Sequence, residues 1–179
     1  MEPNVELTEE EITSISEKVI KIVNKKMKEY TCDKESVYYR FISSFLGRYA
    51  VCKYLGLPME TLDFTIGKSS KYQNKSAISK YGINVSTVAH GRKHIIKKKN
   101  IFPIVFVYQL SQNKYHIVGL GQTTHINDVN NHDDKSIWGS LTEKGSKTVF
   151  TGYDKLIPVK AFTDYWDKIF EAQKSGGMS

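Results

Sequence analysis

The stretch that decides the fold is IFPIVFVYQL at residues 101–110, which is followed after four polar residues by YHIVGL at residues 115–120. Both segments are short and rich in β-branched and aromatic residues, which is typical of β-strands. The intervening Ser-Gln-Asn-Lys sequence supplies turn residues, so the pair predicts a β-hairpin. Pro103 lacks a backbone N–H and therefore marks the start or the edge of the first strand. We expect the sheet built on this hairpin to be the working surface.

Two helices are predicted before the sheet. Thr8 and Glu11 form a capping box, and apolar residues then recur at helical spacing to about Tyr30. Ser36 is predicted to cap a second helix, which ends at residue 53 or 54 because the sequence LGLP follows. The other predicted elements are strands at 63–66 and 83–88, a polar loop at 67–80, an ordered loop or short turns over the sheet at 122–147, and a helix at 159–173.

This order of elements predicts an α/β fold, with α+β as the alternative, in which helices cover a mixed sheet. A chain of 179 residues is long enough for one domain with its own core and short for two, so we expect a single domain at residues 1–174 and a disordered tail at 175–179. No apolar run is long enough to cross a membrane, and residues 1–11 lack the features of a secretory signal. A soluble, cytoplasmic protein is expected, with Cys32 and Cys52 as plain thiols.

The charge distribution is uneven. The net charge is +7, yet no aspartate or glutamate occurs between Asp63 and Asp128. Cations of one sign repel one another unless a partner neutralises them, so this stretch predicts a surface for a polyanion, first of all nucleic acid. A solvated lysine-rich face is the alternative. The cations of the stretch are Lys68, Lys71, Lys75, Lys80, Arg92, Lys93, Lys97, Lys98, Lys99 and Lys114.

Several segments carry a family resemblance. They are FLGRYAVCKYLGL at 45–57, IGKSSKY at 66–72 and YGINVSTV at 81–88, followed by the two hairpin strands. Over residues 36–160 the chain resembles the PD-(D/E)XK restriction-endonuclease-like nucleases. The resemblance implies a restriction-endonuclease-like mixed central sheet flanked by helices. In those enzymes a helix glutamate, a loop acid and a strand (Asp/Glu)-x-Lys motif hold Mg²⁺ and position the attacking water.

The residues that the resemblance assigns to catalysis are replaced in this chain. Arg48 occupies the position of the helix glutamate, Asn84 and Ser86 occupy those of the (Asp/Glu)-x-Lys motif, and the loop acid falls in residues 74–77, which contain no acid. Asp63 is the one nearby carboxylate, and a single carboxylate makes a poor Mg²⁺ site. The resemblance therefore implies a nuclease-like fold that has lost metal-dependent cleavage and uses no cofactor.

Histidines and a second lysine cluster give weaker signals. His90 and His94 would share one face of a helix, but the cations between them disfavour a metal site and favour phosphate contacts. His125 and His132 lie among aspartates without a recognisable ligand spacing. Tyr72 is a candidate for stacking on an unpaired base, and the sequence KGSKT at 144–148 could contact phosphate.

The first hypothesis is a protein that binds nucleic acid, DNA in preference to RNA, without cutting it. One alternative is an active Mg²⁺-dependent endonuclease that combines Asp63 with Asp128 or Asp133. Another is a protein-binding inhibitor or adaptor in a defence system between a host and a mobile element. The oligomeric state is open, with a homodimer as one option. The predicted nucleic-acid contacts are Lys68, Lys71, Tyr72, Lys75, Lys80, Arg92, Lys93, Lys97, Lys98, Lys99, Lys144 and Lys147.

Overall fold

Apolar runs from both halves of the chain form two β-sheets with helices packed against the larger one. A computed structural model describes residues 3–26, 33–64, 75–134 and 147–176. Its strands are β1 (Asn4–Glu6), β2 (Asn84–Ala89), β3 (Ile95–Lys97), β4 (Ile104–Gln109), β5 (Lys114–Gly121), β6 (His132–Asp133) and β7 (Lys147–Phe150). Its α-helices are α1 (Glu9–Lys26), α2 (Lys34–Tyr54), α3 (Thr123–Ile126) and α4 (Val159–Gly176).

The larger sheet is mixed, as predicted. Its strand order is β1-β5-β4-β2, in which β4 and β5 form the predicted antiparallel hairpin and β2 runs parallel to β4. Pro103 precedes β4, and its carbonyl accepts the N–H of Asn84 at 2.8 Å. Strand β1 was not predicted, because three residues that alternate in burial carry little signal until they pair with β5.

Helices α1 and α2 cover one face of this sheet. The buried residues Ile15, Val19 and Val23 follow helical spacing on α1, as the sequence predicted, and they join the main hydrophobic core. Helix α2 approaches β2 so closely that a Cβ atom on Gly47 would lie 2.0 Å from Oγ1 of Thr87. The glycine is therefore what allows α2 and β2 to touch.

The helix caps agree in part with the sequence. The capping box of α1 forms, because Thr8 N–H donates to Glu11 at 2.8 Å and Glu11 N–H donates to Thr8 Oγ1 at 3.2 Å. The cap predicted at Ser36 is wrong. The Asp33 carboxylate begins α2 instead, accepting N–H groups of the first turn at 2.8 and 3.4 Å. Aspartate and serine are about equally good caps, so the sequence alone did not separate them.

The smaller sheet has the order β3-β7-β6 and covers the opposite face of β4. Its inner residues Ile96 and Phe150 pack with Phe106 of β4 in a second core, where the two phenylalanine rings stack at 4.5 Å. The prediction of loop or short turns at 122–147 is correct for α3 and the 3₁₀ turn Val129–Asn131, but it missed β6 and the start of β7. Residues 135–146 of that segment lie outside the described chain.

Two further predictions are corrected at the ends of elements. Residues 63 and 64 lie in no strand, although one was predicted at 63–66; the adjacent Leu62 makes a single β-bridge with Ile78. Residues 65–74 are outside the described chain. Helix α4 begins at the predicted residue but continues to Gly176, so the first two residues of the predicted tail are helical.

In the described part of the chain, none of the helices has the length and apolar character needed to cross a lipid bilayer. Cys52 is a buried free thiol, as predicted, and Cys32 lies outside the described residues.

Candidate nucleic-acid interface

The stretch between Asp63 and Asp128 contains no carboxylate, but in the folded protein carboxylates from other segments lie next to it. Five of its lysines lie beside acids that the fold brings from elsewhere in the chain, so the prediction of ten unopposed cations is wrong for these five. The reason is that acidic residues flanking the stretch fold back onto it. The pairs are Lys75–Asp63 at 3.8 Å, Lys80–Asp167 at 3.2 Å, Lys93–Asp133 at 4.0 Å, Lys114–Glu6 at 3.5 Å, and Lys98–Asp134.

A smaller set of cations stays unopposed. Arg92, Lys97, Lys99 and Lys147 are exposed, and within the described residues none has a carboxylate at ion-pair distance. Lys97 on β3 stands directly opposite Lys147 on β7 in the antiparallel register. Opposed side chains of this kind have Cβ atoms roughly 4.5–5.5 Å apart, and like charges there destabilise the pair of strands. An anion between the two ammonium groups removes that repulsion.

The alternation of the strands points both lysines outward. Their neighbours Ile96 and Thr148 are paired in the same register and are buried, so Lys97 and Lys147 lie on the outer face of the small sheet. Beyond β3, the Asn100 side chain donates to the carbonyl of Lys97 at 2.7 Å, which closes a turn. We call Lys97, Lys99 and Lys147 the basic strip.

A pair of asparagines fixes the turn that carries Lys99. Asn100 N–H donates to Oδ1 of Asn127 at 2.8 Å, and Nδ2 of Asn127 donates to the Asn100 carbonyl at 2.9 Å. These reciprocal bonds tie the end of β3 to the residues after α3. The position of Lys99 is therefore set by the fold, while Arg92 lies in the turn at the other end of β3.

Arg48, which the resemblance would place at the position of a helix glutamate, brings positive charge. Its guanidinium lies 4.6 Å from the ring centre of Phe45, and its buried Nε has no hydrogen-bond partner among the described residues. Burial lowers the pKa of Arg48, and the nearby Asp63 carboxylate opposes this shift. Lys75 lies 3.8 Å from Asp63. Asp63 is thus already neighboured by two cations, and Glu60 is a second acid that lines its cleft.

This donor set does not fit Mg²⁺, which needs several oxygen ligands and is repelled by adjacent cations. Among residues 3–26, 33–64, 75–134 and 147–176, no group of three or more His, Cys, Asp or Glu side chains is arranged to hold a metal ion. The other acids of the nuclease alternative are engaged elsewhere. Asp128 accepts the N–H of Asn130 at 3.0 Å, and Asp133 lines a cleft of about 770 Å³ that is separate from the cleft of about 510 Å³ lined by Asp63.

Asn84 and Ser86, which the resemblance would place at the (Asp/Glu)-x-Lys positions, make structural hydrogen bonds. Oδ1 of Asn84 accepts the N–H of Ala77 at 2.9 Å and so anchors the chain where β2 begins. Oγ of Ser86 lies 3.0 Å from Nδ1 of His94. The position where the resemblance would require a catalytic lysine thus holds a hydroxyl that faces a buried imidazole.

His94 is fully buried, which contradicts its predicted role as a phosphate contact. It lies in the irregular segment just before β3, not on a helix, and its ring centre is 5.1 Å from that of Phe106 and 5.0 Å from that of Tyr108. Burial lowers the pKa of His94 to about 4, so the ring is neutral at pH 7. Its Nε2 has no hydrogen-bond partner in the described chain. The signal that the sequence offered was the alternation His94, Ile95, Ile96, which places His94 on the inner face with Ile96.

The remaining histidines have structural partners. His125 Nε2 lies 2.7 Å from the Gly152 carbonyl, and His132 Nε2 lies 2.8 Å from the Ile126 carbonyl. His90 is exposed, and its ring centre lies 5.9 Å from that of Tyr108 with the two rings nearly perpendicular. Of the other predicted contacts, Lys68, Lys71, Tyr72 and Lys144 lie outside the described residues.

Comparisons with known proteins give no relative for this chain, since no family model, no curated protein and no solved structure matches it. The nuclease resemblance accordingly stays a prediction. The geometry of the basic strip is the observation from which a function can be proposed.

Proposed function

We propose that this protein binds nucleic acid through phosphate contacts on the outer face of its small sheet and does not cleave it. The observation that carries the proposal is the opposition of Lys97 and Lys147 across β3 and β7. Two like charges held face to face by backbone pairing form a site that a phosphate group stabilises. The exposed Lys99 and Arg92 extend the positive surface along β3.

The proposed fold family is the restriction-endonuclease-like one, and element order supports it. Helix α2 is followed in the larger sheet by β2 and then by the β4–β5 hairpin, which is the order that the resemblance requires; β3, between β2 and β4 in the chain, belongs to the small sheet. On this view two of the metal-ligand positions are replaced, one by Arg48, which brings positive charge, and one by Asn84, whose side chain accepts a backbone hydrogen bond. The resemblance also favours DNA over RNA.

Binding of a short duplex and of a single strand, followed by fluorescence anisotropy, tests the proposal. Each neutralised phosphate releases counterion, so affinity should fall steeply between roughly 50 and 200 mM salt. Affinity that is undetectable, or that does not change with salt, contradicts the proposal. So does purification with a stoichiometric protein partner and no measurable affinity for nucleic acid, which is the outcome expected of an inhibitor or adaptor.

Cleavage is tested separately. Plasmid incubated with the protein and Mg²⁺ or Mn²⁺ should stay intact, because Arg48 and Lys75 flank Asp63 where a metal ion would need further carboxylates. Nicking by the natural protein that disappears in an Asp63→Ala variant would establish the endonuclease alternative instead.

A further inference from the structure

His94 connects the strands of the basic strip with the larger sheet. It directly precedes β3, and its carbonyl accepts the N–H of Phe150 of β7 at 2.9 Å. We propose that His94 is a pH-sensitive contact between the sheets: its neutral ring keeps the small sheet on β4, and a ring that takes a proton from solvent releases the small sheet together with bound nucleic acid. The release of nucleic acid rests on the proposed function, whereas the opening of the sheet does not.

The ring of His94 is enclosed by side chains of three elements. Oγ of Ser86 on β2 lies 3.0 Å from Nδ1, and the ring centres of Phe106 and Tyr108 on β4 lie 5.1 and 5.0 Å away. Tyr153, in the 3₁₀ turn before α4, lies at 6.0 Å. The two tyrosines are the titratable groups of this set, which contains no acid, lysine, arginine or histidine. Within the described chain no carboxylate is thus placed to stabilise a protonated ring.

Acid therefore favours the open arrangement. A histidine ring in water takes up a proton near pH 6.5, whereas burial lowers the pKa of His94 to about 4. The closed arrangement has its full advantage above pH 6.5 and loses it as the pH falls toward 4. Between pH 7 and pH 5 the ratio of open to closed protein should rise by roughly 20-fold.

An open small sheet would no longer present the basic strip. Ile96 of β3 and Phe150 of β7 pack on Phe106, and opening removes this support. The two strands have three and four residues, and an isolated pair of strands is marginally stable at best. Lys97 and Lys147 also repel each other across the pair. Nucleic acid that binds the paired strands should in turn oppose the opening.

Hydrogen exchange of single amides tests the opening. Where exchange follows the opening equilibrium, the protection factors of Ile96 and Phe150 should fall by roughly 20-fold from pH 7 to pH 5. Those of Val107 and Ile117, which are paired in the larger sheet, should fall less. Protection of the small sheet that does not depend on pH overturns the inference. An equal fall in both sheets also overturns it, because the whole protein would then open as one unit.

Variants identify the responsible group. His94→Phe and His94→Gln both lack a titrating ring, so the small sheet should keep its protection at pH 5 in each of them. His90→Gln is the matched control, because His90 is an exposed histidine of the same segment, and this variant should retain the fall. If the His94 variants lose protection as the natural protein does, another group is responsible and the inference is wrong.

The release of nucleic acid has its own measurement. By fluorescence anisotropy, an oligothymidylate should bind the natural protein more weakly at pH 5 than at pH 7, but His94→Phe equally at both. Protonation of carboxylates makes any protein more positive and favours binding in acid, so a weaker affinity cannot come from net charge. Equal affinity of the natural protein at the two pH values overturns the release. If the oligothymidylate does not bind even at pH 7, the proposed function fails and the release with it, while hydrogen exchange still decides whether the sheet opens.

Discussion

Lys97 and Lys147 oppose each other across the outer face of the small sheet, although they come from distant parts of the chain. The backbone pairing of β3 with β7 and the packing of Ile96 and Phe150 beneath it hold the two charges in register. The free protein therefore bears an electrostatic cost at this point, which a bound phosphate would relieve. Under the proposed function, this site gives up some stability in return for binding.

Replacing one lysine of the pair should change the stability of the protein and its affinity for nucleic acid in opposite directions. Lys147→Glu converts a repulsive cross-strand pair into an attractive one and should raise the free energy of unfolding by roughly 0.2–1 kcal/mol at low salt. It should also weaken nucleic-acid binding. Urea unfolding at low and high salt measures the first effect, which salt should diminish. The control for net charge is Lys25→Glu, because Lys25 is exposed on α1. If Lys147→Glu lowers the free energy of unfolding and Lys25→Glu does not, the two lysines of the pair do not repel each other.

Gly47→Ala should destabilise the protein, even though alanine is the better helix former. Its Cβ would meet Thr87 Oγ1 at 2.0 Å and Cγ2 at 2.6 Å, so α2 and β2 must move apart at a cost of roughly 1–3 kcal/mol. Adding Thr87→Ala removes both atoms and should restore part of the loss, since Cβ of residue 87 remains at 2.8 Å. If the double variant is no more stable than Gly47→Ala, the loss of stability does not come from the contact with the Thr87 side chain.

His94 should make stability depend on pH. Burial lowers the pKa of His94 from 6.5 to about 4, so the unfolded chain takes up a proton more readily than the folded protein. The stabilisation is complete above pH 6.5 and is lost as the pH falls toward 4, by roughly 3 kcal/mol in total. The side chains that face His94 in the described chain are Ser86, Phe106, Tyr108 and Tyr153, and none of these is an acid, a lysine, an arginine or a histidine.

A His94→Phe variant isolates this effect, because it removes the titrating ring and retains an aromatic side chain. Chemical unfolding at pH 7 and pH 5 should show a smaller loss of stability in the variant than in the natural protein. Equal losses would mean that His94 is protonated in the folded state without cost.

The buried thiol of Cys52 should be unreactive until the protein unfolds. Burial raises its pKa to about 11 from 9.0, which reduces the thiolate fraction about 100-fold. In a Cys32→Ser background, a thiol reagent at pH 8 should react far more slowly with the native protein than with the protein in urea. Rapid labelling of the native protein would show that the α2 core opens readily.

The sequence predicted those elements whose pattern is local. The β4–β5 hairpin and the start of α1 were found because each has its period and its turn or cap within a short span. Strands β3 and β7 were missed because they are short, carry lysines at their ends and become strands only by pairing with each other. The sequence likewise could not decide whether Asp33 or Ser36 caps α2, since both residue types are good N-caps.

The candidate site was predicted less well than the fold. Charge along the chain could not show that Asp133, Asp134 and Asp167 fold back onto lysines of the basic stretch. Nor could it show that Lys97 and Lys147 meet, because their pairing depends on the register of two distant strands. The sequence singled out the lysines as a group, but the subset without a nearby carboxylate in the described chain is visible only in three dimensions.

The most direct test of the central claim compares two double variants of equal charge. Lys97→Gln with Lys147→Gln removes the opposed pair, and Lys21→Gln with Lys25→Gln removes two exposed lysines of α1. Affinity for an oligothymidylate should be measured as a function of salt. We expect the first variant to bind more weakly, with a salt slope smaller by about 0.7 for each phosphate that it no longer neutralises, and the second to bind as the natural protein does. Equal affinity and equal slope in both variants would contradict the proposal that the basic strip holds nucleic acid.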